Sequence, residues 1–173
     1  MRTIVLVGFP GSGKSTVGKR LASRLSLSLP FYDTDSFFEA KYRISVSDFF
    51  AKYGEDFFRI CEKSVLSELL SLPPCVIATG GGLPCYFDSM QAIKESSLSI
   101  YIKLAPKSLL DRLLHSKKKR PLLLEKTSEE LFAYIEKTLP QREFFYNQAE
   151  ICVKGENMDV NVLVDSIQQK ILL

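Results

Sequence analysis

"TIVLVGFPGSGKSTVGKRLASRL", residues 3–25, passes from an apolar run through a glycine-rich loop into an amphipathic segment. Ile4–Val7 is short, continuous and largely β-branched, and Gly8 bounds it, the pattern of a strand buried on both faces. Gly8-Phe9-Pro10-Gly11-Ser12-Gly13-Lys14-Ser15 matches G-x-x-x-x-G-K-[ST] in full. Val17, Leu21 and Leu25 follow at i, i+4 spacing and predict a helix. Glycine in such a loop lets backbone N–H groups turn toward phosphate oxygens, and the helix start adds its partial positive charge at the same place. Lys14 is expected to reach the β- and γ-phosphates, and the Ser15 hydroxyl to ligate Mg²⁺. The span therefore predicts a nucleoside triphosphate site built by Gly11, Ser12, Gly13, Lys14, Ser15 and Thr16.

Outward from this loop the chain alternates strand and helix patterns. Strands are expected at 31–33, 75–79, 97–104 and 149–154. Helices are expected near 36–42, 46–53, 55–71, 106–115, 128–145 and 160–172, with a weaker pattern over 86–95. That alternation predicts an α/β fold with a mostly parallel sheet covered by helices on both faces. Ligands of such sheets gather beyond the carboxyl ends of the strands. The phosphate loop follows the first strand, Asp33 and Asp35 follow the second, and Thr79-Gly80-Gly81-Gly82 follows the third. Three polar or glycine-rich loops are thus expected on one rim.

The acids lie in "FYDTDSFFE", 31–39. Asp-Thr-Asp is good turn and helix-cap composition. If 31–35 is extended, however, Asp33 and Asp35 project from one face toward the phosphates, one suited to a metal and the other to an acceptor. The triple glycine suits either a tight turn or the close approach of a ligand or another backbone. "HSKKKRPLLL", 115–124, is a basic run that reads first as a lid carrying Arg120 to the transferring phosphoryl group, with a solvated face or a nucleic-acid contact as the alternatives. Arg59 has Glu62 three residues on and Phe50, Phe57 and Phe58 around it, and Arg142 also has aromatic neighbours. Two such arginines suit a small, partly apolar carboxylate, because a guanidinium fork matches its two oxygens.

Length and composition limit the alternatives. The 173 residues, 46% hydrophobic and 25% charged, are those of one soluble globular domain. No apolar run approaches the ~20 residues of a membrane span. The apolar start runs into glycines and a lysine with no small-residue cleavage site, so no signal peptide is expected and the cytoplasm is the expected compartment. Cys61, Cys75, Cys85 and Cys152 lack CxxC spacing, and His115 is the single histidine, so neither a zinc site nor a disulfide framework is expected. A net charge of +3 is too mild to imply a nucleic-acid partner.

The ordered blocks Gly8–Thr16, "DTD" at 33–35, "GE..FR..E" from Gly54 to Glu62, "ATGGG" at 78–82, "RPLL" at 120–123 and Arg142…Tyr146 together resemble the shikimate kinases over roughly residues 2–153. The resemblance implies a three-layer P-loop kinase fold of the nucleoside monophosphate kinase type. Its five-stranded parallel sheet has order 2-3-1-4-5, with a substrate-binding helical segment at about 33–62 and a lid at about 113–125. It implies transfer of the ATP γ-phosphate to the 3-hydroxyl of shikimate, on the route to chorismate and aromatic amino acids, with Mg²⁺ as cofactor and a monomer as the default state. By the resemblance, Lys14, Asp35 and Arg120 are catalytic. Asp33 assists the metal through water, and Asp35 holds the acceptor hydroxyl and is the candidate base. Arg59 and Arg142 clamp the carboxylate with Glu62 steadying Arg59, and Gly80, Gly81 and Gly82 underlie the ring. Leu113 stands where many members carry an adenine-packing arginine, and Arg112 is one position off that register.

The rivals are a gluconate kinase, a nucleoside monophosphate kinase, a catalytically silent nucleotide-binding module, and a nucleic-acid role for 117–120. The first does not need two converging arginines. The second must hold further phosphates. The third predicts damage at Lys14, Asp35, Arg59 or Arg142, and all four are intact. The last predicts strongly salt-dependent binding.

Overall fold

Ile4, Val5, Leu6 and Val7 are wholly buried, and this explains why their run has no polar face. In the computed structural model, which describes residues 2–25, 28–116 and 126–171, they belong to the central strand of a five-stranded sheet. Along the chain the elements are β1 (Thr3–Val7), α1 (Lys14–Arg24), β2 (Phe31–Asp33), α2 (Thr34–Tyr42), α3 (Val46–Tyr53), α4 (Glu55–Leu70), β3 (Val76–Ala78), a 3-10 turn (Leu83–Cys85), α5 (Ser89–Ser96), β4 (Ser97–Lys103), α6 (Pro106–Leu114), α7 (Ser128–Tyr146), β5 (Ile151–Lys154) and α8 (Val160–Ile171). The strand order is β2-β3-β1-β4-β5 and every pairing is parallel. The 2-3-1-4-5 order is therefore observed, and the weak 86–95 pattern is a short helix entered through the 3-10 turn.

Strand alternation sends side chains to two cores. Val5, Val7, Ile77 and Tyr101 pack beneath α2–α7 with Phe38, Phe58, Val65 and Ile135. Ile4, Leu6, Val76 and Ile100 pack on the opposite face with Leu21 of α1 and Leu163 and Ile167 of α8. Gly18 lets α1 lie close on the sheet, since a Cβ there would sit 2.5 Å from the Phe31 ring. Two cores on one sheet make a three-layer arrangement whose strand ends share a rim, as in other parallel sheets. Among the described residues no helix is long and apolar enough to cross a membrane.

Candidate active site

The phosphate loop runs from the end of β1 into α1. Gly11 and Gly13 hold φ values of 87° and 92°, and Gly13 is the N-cap of α1, so this backbone needs a residue without a Cβ penalty. Lys14 is buried, and its ammonium donates to the carbonyls of Gly8 at 2.8 Å and Phe9 at 2.9 Å and to Ser12 Oγ at 3.3 Å. The first helical turn, Lys14, Ser15 and Thr16, thus lines the cleft, where the start of a helix carries partial positive charge.

Asp33 closes β2 and caps α2. Its Oδ1 accepts from the N–H groups of Asp35 at 3.1 Å and Ser36 at 3.3 Å, while Ser15 Oγ donates to its Oδ2 at 2.5 Å. This corrects the route by which the two acids meet. The extended conformation ends at Asp33, and Asp35 lies in the first turn of α2, so helix capping rather than strand alternation sets their relation. Both half-buried acids still line one cleft of about 240 Å³ with Lys14, Ser15, Gly80 and Gly81.

The triple glycine gives that cleft its floor, and its backbone avoids the left-handed region. What requires glycine is space. A Cβ on Gly80 would lie 2.9 Å from Glu62 Oε1 and 3.0 Å from Asp35 Oδ1. On Gly81 it would lie 2.4 Å from Pro10 Cδ of the phosphate loop, and on Gly82 2.7 Å from Arg59 Nη1. Close approach is therefore observed, together with a turn in which the Leu83 N–H donates to the Gly80 carbonyl at 3.3 Å. The neighbours are an acid pair, a second backbone segment and a guanidinium. Thr34 Oγ1 accepts from Gly80 N–H at 2.8 Å, and the Tyr146 hydroxyl donates to the Gly81 carbonyl, so β2–α2, β3 and α7 meet at this floor.

Arg59 is buried on α4. Its Nη1 donates to Glu62 at 2.7 Å and its Nη2 to Glu55 at 3.0 Å. Its guanidinium lies 4.2 Å from the Tyr86 ring centroid and 5.1 Å from that of Phe58. The expected Phe57 instead stacks on Phe49 in the surface of α3 and α4, and Phe50 packs on Phe58. Arg142 stacks over Phe9 at 5.2 Å and donates to the Tyr134 hydroxyl at 3.3 Å. Both arginines favour the ionised forms of Glu55, Glu62 and Cys85.

Burial dominates the titration of this wall. It pushes the Glu62 carboxyl up to about 7, against the pull of Arg59 and with Asp35 adding to the rise. It also pushes the Cys85 thiol up to about 11 and raises Tyr146. On Glu55 burial acts upward too, but the Tyr86 hydroxyl and Arg59 outweigh it and the group is held below its ordinary range.

The predicted residues Gly11, Gly13, Lys14, Ser15, Thr16, Asp33, Asp35, Gly80 and Gly81 line the cleft. Ser12 is buried behind it, its Oγ accepting from Lys14, Gly82 lies against Arg59, and Arg142 lies over Phe9 of the phosphate loop. Arg120 and the 117–125 portion of the expected lid lie outside the described residues. Reading the sequence missed Thr34, Glu55 and Tyr86. Glu55 had a usable signal, because it precedes Arg59 by one helical turn. Arg112 also lines the cleft, donating from Nη1 to the Ser12 carbonyl at 3.1 Å and from Nη2 to the Gly155 carbonyl at 3.0 Å.

A family model described as shikimate kinase matches residues 10–172. A shikimate kinase of Azobacteroides pseudotrichonymphae is 40% identical over 172 residues, covering 99% of this chain and 100% of that one. One of Parabacteroides distasonis is 40% identical over 158 residues, covering 91% and 90%. Among solved structures, the shikimate kinase of Bacteroides thetaiotaomicron has a TM-score of 0.90 at 32% identity and 99% coverage of both chains. That of Acinetobacter baumannii, in complex with shikimate, has a TM-score of 0.81 at 30% identity, covering 99% of this chain and 93% of that one. Likeness of this extent, in sequence and in backbone alike, shows that the chain belongs to the shikimate kinase family.

Proposed function

We propose that the cleft transfers the γ-phosphoryl group of ATP to the 3-hydroxyl of shikimate, with the residue roles that follow. The observation that carries the reading is the meeting of Asp35 and Glu62 over Gly80, with Arg59 behind Gly82, beside the phosphate loop. A ring that bears hydroxyls and one carboxylate needs an acid for the reacting hydroxyl and a cation for the far end. Gluconate would also offer a carboxylate, but a flat glycine floor with aromatic side chains around the arginines suits a ring better than an extended chain.

Phosphoryl transfer asks mainly for positioning and charge stabilisation. Lys14 and the N-terminus of α1 hold the β- and γ-phosphates. Asp35 accepts a hydrogen bond from the acceptor hydroxyl and aligns it in line with the γ-phosphate. Its carboxylate is also the candidate base for that hydroxyl's proton. Arg59 and Arg142 fix the carboxylate, which sets the ring's orientation. Arg120 is assigned to the transferring group, with about 113–125 as the lid and about 33–62 as the acceptor segment.

The paired oxygens of Ser15 and Asp33 at the start of α1 fit Mg²⁺, which takes one or two protein oxygens and fills its shell with phosphate and water. Among the described residues there is no cluster of three or more His, Cys, Asp or Glu that would suit a transition metal instead. When bound, Mg²⁺ neutralises charge that develops on the phosphates. Ser15 would ligate it directly and Asp33 would orient its water. The four free thiols agree with a reducing compartment, and the reading takes the cytoplasm and a monomer as its setting.

The test is ADP release with ATP and Mg²⁺, comparing shikimate, gluconate, AMP and no acceptor. Shikimate-dependent release is expected, and Asp35→Asn should lower kcat by about 10²–10⁴ while ADP still binds. Release with gluconate but not shikimate overturns the acceptor assignment. Binding of ADP without release for any acceptor points to a silent module.

A further inference from the structure

The guanidinium of Arg112 spans two carbonyls that belong to separate parts of the fold. One is Ser12 of the phosphate loop and the other is Gly155, just after β5. Neither is loose. Ser12 is buried, and its N–H donates to the Phe9 carbonyl at 3.1 Å. Gly155 donates its own N–H to the Lys103 carbonyl at 2.8 Å, and a Cβ there would meet Ile102 at 2.9 Å.

Around this bridge α6 is fastened at both ends. At its start Glu156 Oε1 accepts from the Ala105 N–H at 2.7 Å. In its last turn Leu113 covers Gly11, where a Cβ would lie 3.0 Å from Leu113 Cγ, and Nη1 of Arg112 would sit 3.3 Å from a Cβ on Gly13. The guanidinium therefore lies against the residue that caps α1, on the same cleft as Lys14, Ser15 and Thr16.

We infer that Arg112 is a positioning residue for the nucleotide, bracing the phosphate loop against the segment after β5 through its two-pronged bond to Ser12 and Gly155. The inference rests on the nucleotide reading of the cleft. The loop presents its N–H groups from a backbone whose glycines are free to adopt other conformations, and a fixed arginine fork on the Ser12 carbonyl limits those alternatives before any nucleotide arrives. Lysine carries the same charge but is a point donor on a flexible stem and cannot hold two carbonyls in this fixed geometry. A simple charge contact with phosphate would tolerate lysine, whereas a brace would not.

ADP and shikimate would be titrated separately by calorimetry into the wild type, Arg112→Lys and Arg112→Ala, with thermal melting of each ligand-free protein. Both variants are expected to lose about tenfold in ADP affinity, the effect of losing one or two hydrogen bonds to a charged group, and to bind shikimate as the wild type does. Arg112→Lys binding ADP as tightly as the wild type overturns the brace in favour of a charge contact. Equal losses for ADP and shikimate, with a lowered melting temperature, overturn it in favour of a general structural role. If the wild type binds ADP but not shikimate, the acceptor reading fails by itself, and the ADP affinity of the lysine variant still decides the inference.

Discussion

Both walls of the cleft depend on glycine, for opposite reasons. In the phosphate loop Gly11 and Gly13 are needed for conformation, at φ values of 87° and 92°. In the acceptor floor Gly80, Gly81 and Gly82 avoid the left-handed region, and each is needed because a Cβ would enter a neighbour. The nucleotide wall is thus made of backbone, with Lys14 anchored to the loop's own carbonyls. The acceptor wall is made of side chains standing on a bare floor. Damage on the nucleotide side should act through loop shape and reach every nucleotide contact. Damage on the acceptor side should remove one contact at a time, except where the walls touch, at Gly81 on Pro10 and at Arg142 over Phe9.

The largest separation is expected from Arg59→Ala. It removes one prong of the carboxylate clamp and leaves Glu62 buried without its closest cation. Acceptor KM should rise about 100-fold, the ~3 kcal/mol that a desolvated charge pair carries, while ATP KM stays near the wild-type value. Stability should fall by about 3 kcal/mol, because an uncompensated buried charge costs that order. Steady-state kinetics in both substrates, with melting curves, check the pair of effects. Equal rises in both KM values would break the division between the walls.

The walls touch where Gly81 lies on Pro10. A methyl group on Gly81 would come within 2.9 Å of the Pro10 nitrogen as well as 2.4 Å of its ring, and backbone cannot swing aside as a side-chain end can. Gly81→Ala should therefore raise both KM values, each about tenfold, and cost about 1–3 kcal/mol of stability, the range for an overpacked site. Gly82→Ala should be milder and one-sided. Its methyl group meets the Arg59 guanidinium, which can shift at the expense of its bonds to Glu62 and Glu55, so acceptor KM should rise by about fivefold with ATP KM unchanged. Kinetics on the two variants side by side sharpen the comparison, because neighbouring glycines are expected to give different substrate patterns.

The same division explains what the sequence made legible. The strand, loop and helix at residues 3–25 are contiguous, and their chemistry is local, so spacing alone placed the nucleotide wall. The 2-3-1-4-5 order came with the resemblance and not from periodicity, which carries no information on which strands are neighbours. Asp33 and Asp35 do line one cleft and β2 covers the expected 31–33, but the alternative in which extended backbone runs on to 35 does not hold. The capping competence of Asp33, visible in Asp-Thr-Asp, ends the strand there. Glu62 was legible beside Arg59 because both lie on one helix, and Glu55 was equally so one turn earlier. Tyr86 over Arg59, Pro10 under Gly81 and Tyr146 on the Gly81 carbonyl join segments far apart in the chain. No local pattern encodes such meetings. In the sequence Arg112 shows only as a register offset, since its two carbonyl partners are main-chain atoms that any residue supplies.

The smallest expected effect lies in pH, and its direction follows from Glu62. Burial holds this carboxyl at about 7, so between pH 8 and 6 it passes from mostly ionised to mostly neutral beside Arg59. An acceptor carboxylate arriving at the same arginines is repelled by ionised Glu62 and disfavours that form, so acceptor and proton should bind cooperatively. Acceptor KM is expected to fall by about threefold from pH 8 to pH 6, with ATP KM following only the titration of its own phosphates. Stability should move the same way. The folded-state pKa lies above the ordinary glutamate value, so the native chain binds the extra proton between about 4.5 and 7, and the protein loses stability as pH rises through that window. Glu62→Gln should flatten both dependences, because glutamine is neutral at every pH and still accepts the Arg59 hydrogen bond. If acceptor KM keeps its slope in Glu62→Gln, Glu62 is not the group whose titration sets it.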